Sequence, residues 1–269
     1  KNGRQAVLAD VVVDASADLD VVWRAVGEEG VIVNPVQERI PGGIYTYYGG
    51  VDNGTFLEYC LNSGTVQGYP RFSNPDKVRR HLRTDRLILL RGFRDIVEQA
   101  IKEGLQEPFE MQERSRLLQE GSGTTLSMKW VGRDRWIGRG SFLSLKPFDM
   151  TRAEAVTECE MLLMRASHYL LPILQKIPGW EHAYVVRTAQ RMGRRETRVL
   201  RAVTMLSKED IFDPDHDRAD AVGRSGAHDP GKNRLWKAYP IPYGMLVPQE
   251  LDGVICAARA LGFKDRVAL

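Results

Sequence analysis

Cysteine is scarce in this chain, with three residues in 269, at positions 60, 159 and 256, and none in a Cys-x-x-Cys pair. An odd, sparse set excludes a disulfide framework and predicts free thiols in a reducing compartment. Long apolar runs are lacking too, because stretches such as Leu87 to Leu90 are far shorter than the roughly 20 residues of a membrane span. The first residues show no targeting pattern. These absences predict a cytoplasmic protein that does not enter a membrane.

A strong excess of one charge is also absent. Lysine and arginine total 38 and the acidic residues 35, which gives a formal net charge of +3. So balanced a chain lacks the basic surface that nucleic acids or anionic membranes require, and neither partner is expected. Hydrophobic residues make up 43% and charged residues 27% of the chain, as in ordinary globular proteins. The length suffices for one large domain or two smaller ones with a sizeable core.

Complete catalytic and metal-binding motifs are missing. Gly121-Ser122-Gly123 and Gly138-Arg139-Gly140 each lack the third glycine of a GxGxxG phosphate loop. The sequence contains no Walker motif, no GxSxG elbow and no pair of histidines at metal-ligand spacing. Asp213 to Asp217 is similar to the start of a calcium loop, but the positions that need glycine and glutamate hold Arg218 and Arg224. We therefore predict no metal site.

The first apolar segment has the pattern of a buried strand followed by a turn and a helix. Ala9 to Ala15 is apolar and rich in valine, as in strands of parallel sheets. The acidic, small-residue segment Asp14 to Asp20 predicts a turn, and Val21 to Val26 a short helix capped by Asp18 or Asp20. Strand, turn and helix in this order place a ligand at the carboxyl end of the strand.

The middle of the chain has a different pattern. Alternation of apolar and polar residues at Leu117 to Leu118, Thr124 to Trp130 and Ser141 to Leu145 predicts antiparallel strands. The predicted elements there are a strand at Ile44 to Tyr48, a helix at Val51 to Leu61, a basic polar loop at Pro70 to Arg83, a strand or helix at Leu87 to Gly104, and a strand at Thr124 to Trp130.

The second half opens on a long predicted helix. Thr151-x-x-Glu154 fits a capping box, and the helix is predicted to run to about Gln175 with Met161 and Met164 in the core. Later strands are predicted at Tyr184 to Val186, Val199 to Met205 and Leu251 to Ala258. The fold class is therefore α/β, with an α+β character in the middle of the chain.

Two groups of residues are candidates for chemistry. Arg194 to Arg198 holds three arginines and one glutamate just before an apolar strand. Guanidinium groups bind carboxylates and phosphates through paired hydrogen bonds, so the cluster fits either a cleft or a structural network of ion pairs. His228 lies beside Gly226 and Gly231 in a predicted loop, where it could reach a cleft or simply face solvent.

Six segments, in chain order, each resemble a known sequence pattern. They are Val11-Val12-Val13-Asp14-Ala15-Ser16-Ala17-Asp18 (a strand ending in D-A-T-G-D), Pro178-Gly179-Trp180-Glu181-His182-Ala183-Tyr184 (P-G-F-E-N-A-Y), Gly193-Arg194-Arg195-Glu196-Thr197-Arg198 (G-x-R-E-T-R), Leu206-Ser207-Lys208-Glu209-Asp210 (L-T-x-E-D), Ile241-Pro242-Tyr243 to Leu246-Val247-Pro248 (I-P-Y…L-x-P) and Leu251 to Arg259 (L-D-N-L-L-V-A-G-R). Taken in order, these segments resemble a family of FAD-dependent oxidoreductases with a glutathione-reductase-like FAD fold and an inserted substrate domain.

The resemblance implies FAD as the cofactor and a small organic substrate that gives a hydride to the flavin. It implies that residues 1–30 and 246–269 belong to a partial, Rossmann-like FAD-binding sheet, and that residues 31–245 form the substrate domain with an antiparallel sheet and the long helix. The residues it places at the cofactor are Asp14, Ala15, Ser16, Ala17, Asp18, Ala257, Ala258 and Arg259. The residues we predict to act on the substrate are Arg195, Glu196 and Arg198, with His228 as a general base.

The chain departs from the family pattern in two ways. Ser16, Ala17 and Ala258 stand where the family has threonine, glycine and glycine, and a methyl group hinders positive φ and close backbone approach. The GxGxxG unit and the flavin-facing helix also have no counterpart, so we expect a fragment of the flavoprotein fold. The alternatives are a non-catalytic remnant, an interaction module without flavin, and a chain completed by a partner that supplies the missing unit.

If the resemblance is right, the strands near Val11 to Asp14 and Gly253 to Cys256 lie side by side in one sheet. They are apolar on both faces, as buried strands are. Without further neighbours they would expose an apolar patch, from which we expect self-association.

Overall fold

The computed structural model describes residues 5–35, 43–64, 66–69, 74–84, 88–103, 126–138, 148–194, 197–212, 218–229, 234–257 and 261–263. Its strands are β1 (Val12–Asp14), β2 (Val31–Ile32), β3 (Thr46–Gly49), β4 (Gln67–Tyr69), β5 (Leu89–Gly92), β6 (Leu126–Gly132), β7 (Arg135–Gly138), β8 (Tyr184–Thr188), β9 (Val199–Leu200), β10 (Ala221–Asp229), β11 (Arg234–Pro242) and β12 (Val254–Cys256). Its helices are α1 (Asp20–Val26), α2 (Asn53–Asn62), α3 (Pro75–Arg83), α4 (Arg94–Lys102), α5 (Ala153–Leu174) and α6 (Lys208–Phe212), with 3₁₀ turns at Gly27–Glu29 and Tyr243–Leu246.

The chain divides into two compact units. The first joins Lys1–Arg39 with Glu196–Leu269, and the second is Ile40–Arg195. One unit is therefore built from both ends of the sequence, with the other inserted between them. The boundaries lie at 39/40 and 195/196, whereas the sequence prediction placed them at 30/31 and 245/246. The assignment of residues 1–30 and 246–269 to FAD and of 31–245 to substrate stays a prediction.

The first unit contains the two terminal strands side by side. β1 pairs with β12 in parallel, with Val12 opposite Val254 and Asp14 opposite Cys256. β2 pairs antiparallel with β9, and β10 with β11. Parallel neighbours so far apart in sequence confirm the predicted pairing of the chain's ends, and the mixture of helices with parallel and antiparallel strands confirms the α/β class.

The second unit is built on an antiparallel sheet in the order β4-β5-β6-β7-β3-β8. Side chains from this sheet form part of the hydrophobic core of the second unit. The Phe56 ring meets the rings of Trp136 and Trp180 edge to face, at centroid distances of 5.0 and 5.5 Å. Tyr48 also meets Trp180 edge to face, at 5.5 Å. Aromatic pairs in this geometry stabilise a core beyond the area that they bury.

The long helix α5 packs along this core by one stripe. The buried positions recur at helical spacing: Cys159, Leu163, Ser167, Leu170 and Leu174. That spacing turns a single face of the helix toward the core. The predicted helix is thus confirmed, and Met164 packs against the core cluster. The placement of Met161 in the core is wrong, since its side chain is exposed.

Some local predictions fail at the element ends. Pro70 to Arg83 was predicted as a loop, but α3 begins at Pro75, where the Asn74 side chain accepts a hydrogen bond from the Lys77 amide at 3.1 Å. The capping box at Thr151 does not form, because Arg152 is the N-cap and Thr151 instead donates to Asp149. An asparagine cap followed by proline starts a helix even when the residues after it are basic and polar.

Candidate functional site

The candidate site lies at the carboxyl ends of β1 and β12. Because the strands are parallel, both ends reach the same edge, and the Ala257 amide donates to the Asp14 carbonyl oxygen at 2.9 Å. The structure thereby brings the predicted segment Asp14 to Asp18 next to Ala257. The predicted residues Ala258 and Arg259 lie outside the described residues. We refer to residues 14–20 as the strand-end turn.

Asp14 organises the strand-end turn from the inside. Its carboxylate is fully buried and accepts hydrogen bonds from the Ser16 amide and hydroxyl at 3.0 and 2.6 Å. It also accepts from the amides of Val21 and Val22, at 3.1 and 3.2 Å, in the first turn of α1. The side chain therefore satisfies donors that the start of a helix leaves open. The predicted caps Asp18 and Asp20 are wrong, because the N-cap residue is Leu19 and the carboxylate comes from β1.

The same contacts set the ionisation of Asp14. Burial raises the pKa of the carboxyl group, but the hydrogen bonds from Ser16, Val22 and Val21 lower it by more. The pKa of Asp14 therefore lies below its ordinary value, and the group is charged at neutral pH. A buried anion in this position stabilises the turn.

The turn itself contains two residues in the left-handed conformation. Ala17 has φ of 68° and Leu19 has φ of 57°. A side chain with a Cβ costs about 1–2 kcal/mol in this conformation. Ala17 occupies the position where the resembling pattern has glycine, so the backbone keeps the shape that glycine favours despite the methyl group.

Thr197 and Arg198 reach the middle of this turn from the end of the arginine-rich segment. The Thr197 hydroxyl donates to Asp18 Oδ1 at 2.7 Å, and both residues are buried. Arg198 Nη1 donates to the Asp18 carbonyl oxygen and to Asp20 Oδ1, each at 2.9 Å. The guanidinium also lies over the Trp23 ring, 4.7 Å from its centroid.

These contacts bear on the predicted substrate-facing cluster. The Arg198 side chain is only 10% exposed, and its guanidinium is engaged by Asp18, Asp20 and Trp23. Its role toward a substrate stays a prediction. Arg195 and Glu196 lie outside the described residues, so their predicted roles stay predictions as well.

His228 is not in a loop. Residue 228 belongs to β10, which forms an antiparallel hairpin with β11, and its neighbour Ala227 is paired with Lys237. The loop prediction is wrong because strand pairing continues through the glycine at position 226. The general-base role of His228 stays a prediction.

The three cysteines are free, as the sequence predicts, and all three are buried. Burial raises the pKa of Cys159 to about 12 and that of Cys256 to about 11. Burial also raises the pKa of Cys60. Thiols in this state are protonated at neutral pH, which disfavours thiolate chemistry.

Sequence reasoning missed Thr197 and Trp23. The signal for Thr197 was present, because it lies inside the segment that resembles G-x-R-E-T-R, but charge directed attention to its neighbours. Trp23 shows only as one apolar position of a short helix. Its contact with Arg198 joins segments that are distant in sequence and leaves no local pattern.

The strand-end edge suits a nucleotide cofactor. Ala15, Ser16 and Ala257 are exposed there and carry small side chains. Small residues at the carboxyl ends of parallel strands let the ligand approach the backbone.

Among the described residues, no helix combines the length and hydropathy needed to cross a membrane.

A parallel strand pair with a small-residue edge, followed by a turn and a helix, is the arrangement at which α/β proteins bind nucleotide cofactors. A family model described as FAD dependent oxidoreductase matches residues 1–268. The chain belongs to this family, and FAD is the cofactor that membership implies. The resemblance noted from the sequence is thereby confirmed. No curated protein and no solved structure matches the chain.

Proposed function

We propose that this chain holds FAD at the carboxyl ends of β1 and β12 and serves a reaction in which a small organic substrate is oxidised. The observation that carries the proposal is the hydrogen bond from Ala257 to Asp14, which brings Ala257 next to the predicted cofactor segment Asp14 to Asp18. FAD, when bound, supplies the hydride acceptor. The chain supplies the binding surface and the charges around it.

The residues at the edge have separate tasks in this proposal. Ala15, Ser16 and Ala257 are exposed and would contact the cofactor. Asp14 is buried and fixes the backbone behind them. This division lets the edge present backbone and small side chains while the carboxylate stays shielded from a phosphate-bearing ligand.

The second ligand in this proposal is a small organic substrate. The predicted substrate domain overlaps the second compact unit, whose antiparallel sheet carries the aromatic core. Arg195, Glu196 and His228 remain the proposed substrate-facing residues, whereas the guanidinium of Arg198 is engaged by Asp18, Asp20 and Trp23. Arginine and histidine near a flavin would orient an anionic or proton-donating substrate.

Flavin titration tests the proposal. We expect the purified chain to bind FAD at one molecule per chain and to quench its fluorescence. Ala15→Trp should block the edge and abolish binding, whereas Ala219→Trp, at another exposed alanine, should bind as the wild type does. A colourless chain that ignores added FAD would instead favour the alternative, a non-catalytic remnant or interaction module.

The exposed face of β1 supports a proposed partner. Val11 and Val13 are 55% and 58% exposed, although strands of parallel sheets are normally covered on both faces. Among the described residues, β12 is the one strand paired with β1. We propose that a further nucleotide-binding strand and helix, supplied by a partner chain, cover this face. A GxGxxG polypeptide that copurifies with the chain and raises its FAD affinity would support this proposal.

A further inference from the structure

We infer that Thr197 and Arg198 are positioning residues that hold the strand-end turn in the shape needed for FAD, and so set the affinity for the cofactor. This inference rests on the proposed function. It assigns both residues a task at the cofactor edge without contact to the cofactor.

The first contact is a buried hydrogen bond to a carboxylate. The Thr197 hydroxyl donates to Asp18 Oδ1 at 2.7 Å, with Thr197 2% and Asp18 7% exposed. A hydrogen bond to a charged acceptor that is shielded from water is among the stronger ones in proteins. It fixes the side chain of the residue that lies between Ala17 and Leu19.

The second set of contacts is made by the Arg198 guanidinium, which binds three groups in and beside the strand-end turn. Arg198 Nη1 donates to the Asp18 carbonyl and the Asp20 carboxylate, while the planar group stacks on Trp23. The carbonyl belongs to the turn, the carboxylate to its last residue and the ring to α1. A lysine cannot provide the flat face that stacks on Trp23.

The turn needs such support because its backbone is strained. Ala17 and Leu19 both hold positive φ, a conformation that residues with a Cβ leave when nothing opposes it. Asp14 binds the amides of Ser16, Val21 and Val22, on either side of these residues. Thr197 and Arg198 act on the residue between them. Residues 17 to 19 are therefore held from a segment that is remote in sequence.

Paired substitutions test the inference. Thr197→Val removes the hydroxyl at nearly constant volume, and Thr55→Val is its control, because Thr55 makes the same kind of bond to Asp52, at 2.7 Å, in the other unit. Arg198→Lys removes the flat group that stacks on Trp23, and its control is Arg187→Lys, because Arg187 stacks on Tyr47 at 4.6 Å. We expect Thr197→Val and Arg198→Lys to weaken FAD binding about tenfold or more, and both controls to bind FAD as the wild type does.

Amide hydrogen exchange provides a readout that does not need FAD. Exchange at Val21 and Val22 should accelerate in Thr197→Val and Arg198→Lys and stay unchanged in the controls. Ala17→Gly should restore part of the FAD affinity to Thr197→Val, because glycine adopts positive φ without strain. Such non-additivity is the mark of residues that act on one structure.

Two results would overturn the inference. Unchanged exchange at Val21 and Val22 would show that the turn does not depend on the two residues. Altered exchange with unchanged FAD affinity would reduce their role to stability alone. If the wild type itself fails to bind FAD, the proposed function fails and the link to the cofactor with it, while the exchange data still decide whether the two residues hold the turn.

Discussion

The Ala257 amide and the Asp14 carbonyl oxygen lie 2.9 Å apart, in a hydrogen bond that joins the ends of two parallel strands. The register is continuous up to this bond, since Val13 lies opposite Ile255 and Asp14 opposite Cys256. A shift of one residue would turn the buried Asp14 to the other face of the sheet. The hydrogen bond therefore fixes both the edge and the direction of the carboxylate.

Replacement of Asp14 by asparagine should destabilise the first unit. The amide side chain offers one acceptor oxygen, whereas the carboxylate uses one oxygen for Ser16 and the other for Val21 and Val22. We expect a loss of about 2–3 kcal/mol in the free energy of unfolding, measured by urea denaturation at neutral pH. Asp52→Asn is the control, because asparagine also caps helices well and should leave α2 nearly as stable.

The lowered pKa of Asp14 predicts an acid-dependent stability. A carboxyl group whose pKa is lower in the folded state contributes stability that is complete above its unfolded pKa. This contribution should decline as the pH falls below the ordinary value of 3.8 and be lost once the pH passes the folded pKa. The free energy of unfolding, measured by denaturation at pH values from 6 to about 2, should therefore fall less with decreasing pH for Asp14→Asn than for the wild type. Parallel curves for the two proteins would contradict the assignment.

Gly179 should tolerate no side chain. A Cβ at this position would lie 2.6 Å from the Asp52 carbonyl oxygen and 2.6 Å from the Phe56 amide, and φ is +89°. Strain and overlap together predict that Gly179→Ala loses at least about 3 kcal/mol in thermal or urea unfolding. Gly64→Ala is a matched control, because Gly64 has φ of +67° but no atom within 4 Å of the added Cβ. It should lose only about 1 kcal/mol.

Two hydroxyl groups of β3 should contribute differently to the stability of the second unit. Thr46 donates to Ser167 at 2.7 Å, and Ser167 donates to the Leu163 carbonyl at 2.9 Å. Thr46→Val should therefore destabilise the second unit by about 1 kcal/mol.

The buried Tyr48 hydroxyl makes no hydrogen bond of standard geometry among the described residues. Burial raises its pKa, and Thr46 lowers that pKa by less. Tyr48→Phe should thus be neutral or stabilising in the same unfolding assay, and a loss comparable to that of Thr46→Val would refute this difference.

The exposed valines Val11, just before β1, and Val13, within it, should make the isolated chain associate. Val11 and Val13 lie two residues apart and are more than half exposed. We expect light scattering to show a mass that rises with protein concentration, and the double variant Val11→Lys, Val13→Lys to remain monomeric. Val203→Lys with Val222→Lys, two similarly exposed valines elsewhere, should leave association unchanged. A wild-type mass that is constant and monomeric would contradict the prediction.

The sequence predicted the elements that depend on local pattern. α5 was expected from apolar spacing, and β1 and β12 from short apolar runs. The pairing of β1 with β12 came from the family resemblance, since no local signal links strands at opposite ends of a chain. Propensity and periodicity act over a few residues, which is why these predictions were correct.

The details of the candidate site depend on long-range contacts that the sequence does not show. Asp14 caps α1 from the preceding strand, so the nearer Asp18 and Asp20 were wrong caps. The helix at Pro75–Arg83 was missed because its polar, basic composition hid a start that Asn74 marks. Positive φ at Ala17 follows from the contacts that surround the turn, whereas its sequence alone argues against that conformation.

The parallel pair also constrains the order of folding. Val12 and Val254 are 242 positions apart (254 − 12). During synthesis β1 leaves the ribosome long before β12 has been translated, so its strand pairing cannot form until then. The intervening unit can fold first, because its strands, from Thr46 to Thr188, are all made before β12. The pairing of β1 with β12 therefore belongs to a late stage of folding.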